Sequence, residues 1–158
     1  MLRLGGKMMV PKFRAWDETQ HKMLQVDCIE FIDGKAYWVE ASPTDGNVQG
    51  GNDGPVRDNS QLKLEQYTGL KDDNGKEIYE GDIVNVIYEG NENYKGPARV
   101  VFVSGAMRLE GEIMKEIYID VLLFDSYSDP SDDLLCDYHT QVIGNVHENP
   151  ELLEAQHD

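Results

Sequence analysis

The most constraining feature of this chain is its punctuation. Short stretches of alternating apolar and polar residues are separated, again and again, by pairs that contain glycine. Alternation with a period of two places one set of side chains on one face of a strand, whereas a helix would need its apolar residues to recur every three or four positions. Phe13 and Ala15 alternate with Lys12 and Arg14, and Leu62-Lys63-Leu64-Glu65 repeats the pattern. Strands are therefore predicted at 11–17, 23–31, 35–39, 61–67, 83–88, 98–103, 117–124, 134–136 and 142–146. The pairs between them are chemically specific. Asp33-Gly34 reads as a hairpin turn, and Asn74-Gly75 reads as a type I′ reversal, because Asn, Asp and Gly tolerate positive φ. Glu80-Gly81-Asp82 reads as a short turn that launches a Val-rich strand, an arrangement common in small SH3-like barrels.

At 158 residues the chain has the length of one ordinary domain, or of two small β modules that share a core. Eight Tyr, four Phe and two Trp, with many Val and Ile, supply enough apolar area to build that core. The organisation expected is a start extension at 1–7, a β meander at 8–41, a Gly/Asn-rich loop or linker at 42–60, and a barrel-like region at 61–158. One short helix is expected at the end: Asn149 can cap it, Pro150 suits its first turn and Glu151 favours the positive end of its dipole.

Charge narrows the function classes. The net charge is −16, which disfavours a model built on neutralising phosphates. Residues 1–79 carry 10 Lys/Arg against 13 Asp/Glu, and residues 80–158 carry 4 against 17. A basic groove would have to lie in the first half and an acidic interaction surface in the second. No window approaches the roughly 20 apolar residues of a membrane helix. The start lacks an apolar stretch long enough for a signal peptide, so a cytoplasmic location is expected.

The motifs of familiar chemistry are missing. Cys28 and Cys136 lie far apart, with no CxxC spacing, and read as reduced, half-buried thiols. His21, His139, His147 and His157 show no metal-ligand spacing. The acidic run from Asp125 resembles a calcium loop only superficially: its sixth position is Pro130 and its twelfth is Cys136, where Gly and a bidentate Glu are needed. There is no phosphate loop and no nucleophile elbow. Neither a cofactor nor a catalytic residue is assigned.

Three blocks carry a family likeness: residues 11–17 (PKFRAWD), residues 66–84 (QYTGLKDDNGKEIYEGDIV) and residues 142–153 (VIGNVHENPELL). In this order the chain resembles the YopX family of phage and prophage proteins. The resemblance implies a mainly β protein with a small SH3-like barrel, and it offers no catalytic residues to carry over. Arg14, Trp16, Tyr67 and Thr68, within those blocks, form the candidate binding surface, since an Arg beside aromatics can stack on a base or grip a carboxylate. The alternative is that Trp16 and Tyr67 fill the core while Arg14 lies along it and pairs with an acid. The functional expectation is a non-enzymatic accessory protein that binds itself or a host or phage protein. Single-stranded nucleic-acid binding by the first half, and an acidic decoy for a host DNA-binding protein, are the rival readings.

Overall fold

The computed structural model describes residues 11–43, 52–55, 62–88, 95–113, 117–122 and 138–154. Eleven strands and one short helix follow in order: β1 (Phe13–Asp17), β2 (Lys22–Ile32), β3 (Lys35–Pro43), β4 (Asn52–Pro55), β5 (Leu62–Lys71), β6 (Glu77–Tyr79), β7 (Asp82–Tyr88), β8 (Lys95–Val103), β9 (Ala106–Ile113), β10 (Ile117–Leu122), β11 (Tyr138–Asn145) and α1 (Glu151–Glu154). They form a six-stranded sheet ordered β4-β3-β2-β1-β5-β6 and a five-stranded sheet ordered β10-β9-β8-β7-β11. All the pairings are antiparallel.

The chain is thus mainly β, with a meander at its start as the alternation predicted. The described strands form two sheets, and no closed barrel is found among the described residues, so the expected SH3-like barrel is not confirmed. The first sheet also draws strands from both sides of residues 42–60, because β1 pairs with β5 from Phe13↔Gln66 to Asp17↔Leu62. Residues 42–60 contain the short strand β4, whose composition of Asn, Asp, Gly and Pro concealed it; Pro55 is tolerable because β4 lies at a sheet edge. Strand β9 was not anticipated either. The acidic run from Asp125, the predicted strand at 134–136, Cys136 and His157 lie outside the described residues. Cys28 is free and exposed, not half-buried.

Two turns show how local chemistry chose the connections. Asp33-Gly34 and Ser104-Gly105 are two-residue hairpin loops with positive φ at every position: 52° and 74°, then 52° and 81°. The reversal at Asn74-Gly75 forms differently from the predicted type I′ turn, since only Gly75 has positive φ. The cause is Asp72, whose Oδ1 accepts from the amides of Asn74 (2.9 Å) and Lys76 (2.8 Å), holding a wider loop from within. Its Oδ2 accepts from the Val142 amide at 2.8 Å, tying that loop to β11. At the far end, Asn149 Oδ1 accepts from the Asn145 amide (3.4 Å) and so faces the end of β11 instead of capping α1.

Each sheet packs its own apolar cluster. Ala15, Leu24, Val39, Ala41 and Leu62 form the first, and Ile78, Val84, Val86, Ala98, Val100 and Leu109 form the second. Ile78 belongs to a strand of the first sheet but is buried in the second cluster, which joins the two. Complete burial of Leu24, Ile78, Ile83 or Leu109 stabilises by about 2 kcal/mol each. Between the sheets, the Gly81 amide donates to Val100 O and Val146 donates to Gly81 O, both at 2.9 Å.

Gly81 is required twice over. Its φ is +85°, and a Cβ there would lie 2.3 Å from Glu65 Oε1. Gly81→Ala is expected to lower unfolding free energy by about 2 kcal/mol or more, since it adds αL strain to displacement of a buried carboxylate. Urea denaturation checks this, with Gly75→Ala, where nothing lies within 4 Å, as the milder comparison.

Candidate functional site: a buried charge cluster at the seam

Alternation along β1 turns Arg14 and Trp16 to one face and Ala15 to the other, where it enters the first apolar cluster. The face that carries Arg14 meets β5 on one side and the start of β7 on the other. Register places Glu65 directly opposite Arg14. Gly81 then lets the chain pass close against Glu65, which delivers Asp82 to the same point.

The result is a saturated guanidinium. Arg14 Nε donates to Glu65 Oε2 at 2.7 Å, Nη1 pairs with Asp82 Oδ1 at 2.8 Å, and Nη2 donates to Glu80 O at 3.3 Å. Its carbon lies 4.8 Å from the centre of the Tyr79 ring. The side chains are largely enclosed, with exposures of 14% for Arg14, 8% for Glu65 and 3% for Asp82. Asp82 Oδ2 accepts the Tyr79 amide at 2.8 Å. The other oxygen of Glu65 meets His147 Nε2 at 2.5 Å, and with Glu65 ionised that nitrogen carries the proton. The imidazole of His147 stacks on Trp16, with centroids 4.9 Å apart and planes 10° from parallel. Three widely separated parts of the chain are so joined through one cation.

Burial pushes the Asp82 carboxyl above its usual range, although Arg14 and the Tyr79 amide both favour its charged form. The tyrosines beside it, Tyr67 and Tyr79, are likewise raised, chiefly by burial. The nearby Lys12 is raised by its hydrogen bond to Glu77.

The four candidates from the sequence lie at different points along β1 and β5. Arg14 and Trp16 are enclosed in the cluster. Tyr67 is half-buried, packs 5.4 Å from Tyr79 and lies 5.9 Å beneath Lys12 Nζ. Thr68 donates from Oγ1 to Ile78 O at 2.7 Å and accepts from the Leu70 amide at 3.2 Å, clipping β6 to β5 where their register slips. Glu65, Asp82, Tyr79 and His147 were not singled out by sequence reasoning. The available signal was Gly81 directly before Asp82; Glu65 falls on the polar positions of the β5 alternation and does not stand out there.

Beside the cluster opens a cleft of about 600 Å³, lined among others by Lys12, Arg14, Lys76, Tyr79, Asn145 and Glu148. Lys12 is engaged by Glu77 at 2.8 Å. No buried side-chain nitrogen or oxygen lacks a hydrogen-bond partner among the described residues, and no three His, Cys, Asp or Glu are grouped there to hold a metal. The arrangement acts as a polar joint between the two sheets.

Arg14→Met is expected to destabilise by about 3–5 kcal/mol, because it leaves Glu65 and Asp82 buried without their cation, as thermal or urea unfolding would register. Arg14→Lys should recover only part, since an ammonium does not span both carboxylates as the fork does. A pH effect follows from Asp82. Its folded-state pKa lies above the unfolded value, so between the two the folded chain binds the extra proton and this group's contribution to stability rises as pH falls. Asp82→Asn should remove that gain, and its urea midpoint should fall more steeply than wild type from neutral towards about pH 4.

A family model described as YopX protein matches residues 12–154. Among solved structures, protein EF1440 from Enterococcus faecalis is similar at 28% identity and a TM-score of 0.58, covering 92% of this chain and 99% of that one. Protein yopX from Bacillus subtilis is similar in fold at 22% identity and a TM-score of 0.56, covering 90% and 97%. No curated protein matches the chain.

Proposed function

We propose, from the premise that this chain belongs to the YopX family, that it is a non-enzymatic phage or prophage accessory protein, a protein-interaction module that works as a homo-oligomer. The observation that carries this reading is a matched pair of apolar hairpin tips, one from each sheet. Phe31-Ile32 precede the turn Asp33-Gly34, and Phe102-Val103 precede the turn Ser104-Gly105. These residues are 57%, 45%, 53% and 43% exposed. In a chain of net charge −16, large apolar side chains held out on rigid two-residue turns are costly to leave in water, and such patches mark contact surfaces. Aromatic residues also dominate the energetics of such contacts.

The buried cluster supports the same reading from the other side. Its ionisable groups satisfy one another. Arg14 and Lys12, the basic residues closest to the aromatic pair, are both engaged by acids, which favours protein contact over nucleic-acid binding. The experiment is size-exclusion chromatography with light scattering at micromolar concentration. A mass that is a multiple of 17.9 kDa is expected, with Phe31→Asp or Phe102→Asp weakening association by about tenfold or more. A strict monomer that captures no partner from lysate of a lysogenic host would overturn the reading.

A further inference from the structure

Strand β2 is longer than its neighbour on one side. β3 accompanies it from Leu24 to Ile32, whereas β1 pairs with it only from Lys22 to Gln25. From Val26 to Ile32 the edge facing away from β3 therefore has no strand partner among the described residues. The reason lies just before β1. Pro11 has no amide hydrogen to donate, and the Lys12 carbonyl accepts from the Tyr67 amide at 2.8 Å, so the entering chain is bound to β5. Where the pairing runs out there is a notch of about 300 Å³, lined by Pro11, Phe13, Val26, Cys28, Ile29 and Phe31 among others. An open strand edge beside an apolar notch is what strand addition uses: the backbone supplies hydrogen bonds and the notch takes a side chain.

We infer that this edge pairs antiparallel with the same edge of a second copy, about a two-fold axis near Ile29, an inference that rests on the homo-oligomer reading above. That register sets Val26 opposite Ile32, Asp27 opposite Phe31 and Cys28 opposite Glu30 of the other copy. No two acids face each other, which matters between chains of like net charge. Asp27 is also held back by its own sheet, accepting from Gln25 Nε2 at 3.0 Å and Ser42 Oγ at 2.7 Å. The apolar notch runs along the free segment from Val26 to Phe31 and reaches the exposed tip at its far end. Reversal about its middle carries each copy's Phe31 and Ile32 towards the Pro11, Phe13 and Val26 end of the other's notch, so one operation brings the β2–β3 tips of both copies against apolar surface and pairs both rows of backbone groups.

Glu30→Cys in a Cys136→Ser background tests the register, since Glu30 and Cys28 are both exposed. Mild oxidation should convert most of the chain to a covalent dimer on a non-reducing gel. Lys95→Cys in the same background, on the other sheet, should crosslink at least fivefold less. Hydrogen exchange of the Val26–Ile32 amides should slow as protein concentration rises. An oligomer by light scattering without enrichment of the crosslink, and with amide exchange independent of concentration, overturns this pairing and leaves the interaction reading standing. A monomer overturns this pairing, and a strict monomer that also captures no partner from lysate overturns both. A monomer whose Val26–Ile32 amides are nonetheless protected would show the edge to be covered within its own chain.

Discussion

Arg14 is held by two carboxylates that come from different sheets, and most of what is particular to this fold depends on that arrangement. Glu65 belongs to the six-stranded sheet and Asp82 opens the five-stranded one, so a single guanidinium fixes where one sheet ends and the other begins. A lysine could not occupy this position equivalently, because only the planar fork reaches both acids and the Glu80 carbonyl at once. Buried ion pairs contribute little net stability against an apolar alternative, but removing one member is severe. The cluster therefore acts mainly as a device for specifying geometry: few other packings of these sheets would satisfy all its members.

Around it the backbone follows. Gly81 has no side chain because Glu65 occupies the space where one would be, and its own amide and carbonyl bridge β8 and the segment after β11. His147 completes the second carboxylate oxygen and lies flat on Trp16, which brings the C-terminal part of the chain back onto β1. Asp72 performs a smaller version of the same task, closing the loop before β6 and gripping β11 through Val142. Polar side chains of this kind join the two apolar clusters, neither of which is large, into one folded unit.

With its central charges engaged with one another, the molecule presents its distinctive features at its periphery. At the β2–β3 tip, exposed apolar side chains adjoin the stretch of β2 that has no second strand partner among the described residues. Natural sheets blunt such edges with charges, bulges or covering segments. β2 has two bulges against β3, near Asp27 and near Phe31, and still carries exposed apolar residues beyond them. An edge only partly protected is consistent with one kept available for a partner.

Strand and turn positions were largely legible in the sequence, because alternation and glycine pairs are local properties: β1, β2, β3, β5, β7, β8 and β11 all fall where the pattern placed them. The polar strand β4 was not legible, since pairing with β3 rather than its own composition makes it a strand. Arg14 and Trp16 stood out as residue types, but whether they face solvent or core depends on what lies opposite. That was decided by register between residues 51 and 68 positions apart, Glu65 and Asp82, which no local pattern encodes. The sequence by itself determined that the chain is mainly β, strongly acidic and a YopX-family member. Tertiary structure alone decided that its strands form two sheets and that its prominent arginine is a buried joint, because desolvated charges find their partners by position in space and not by nearness along the chain.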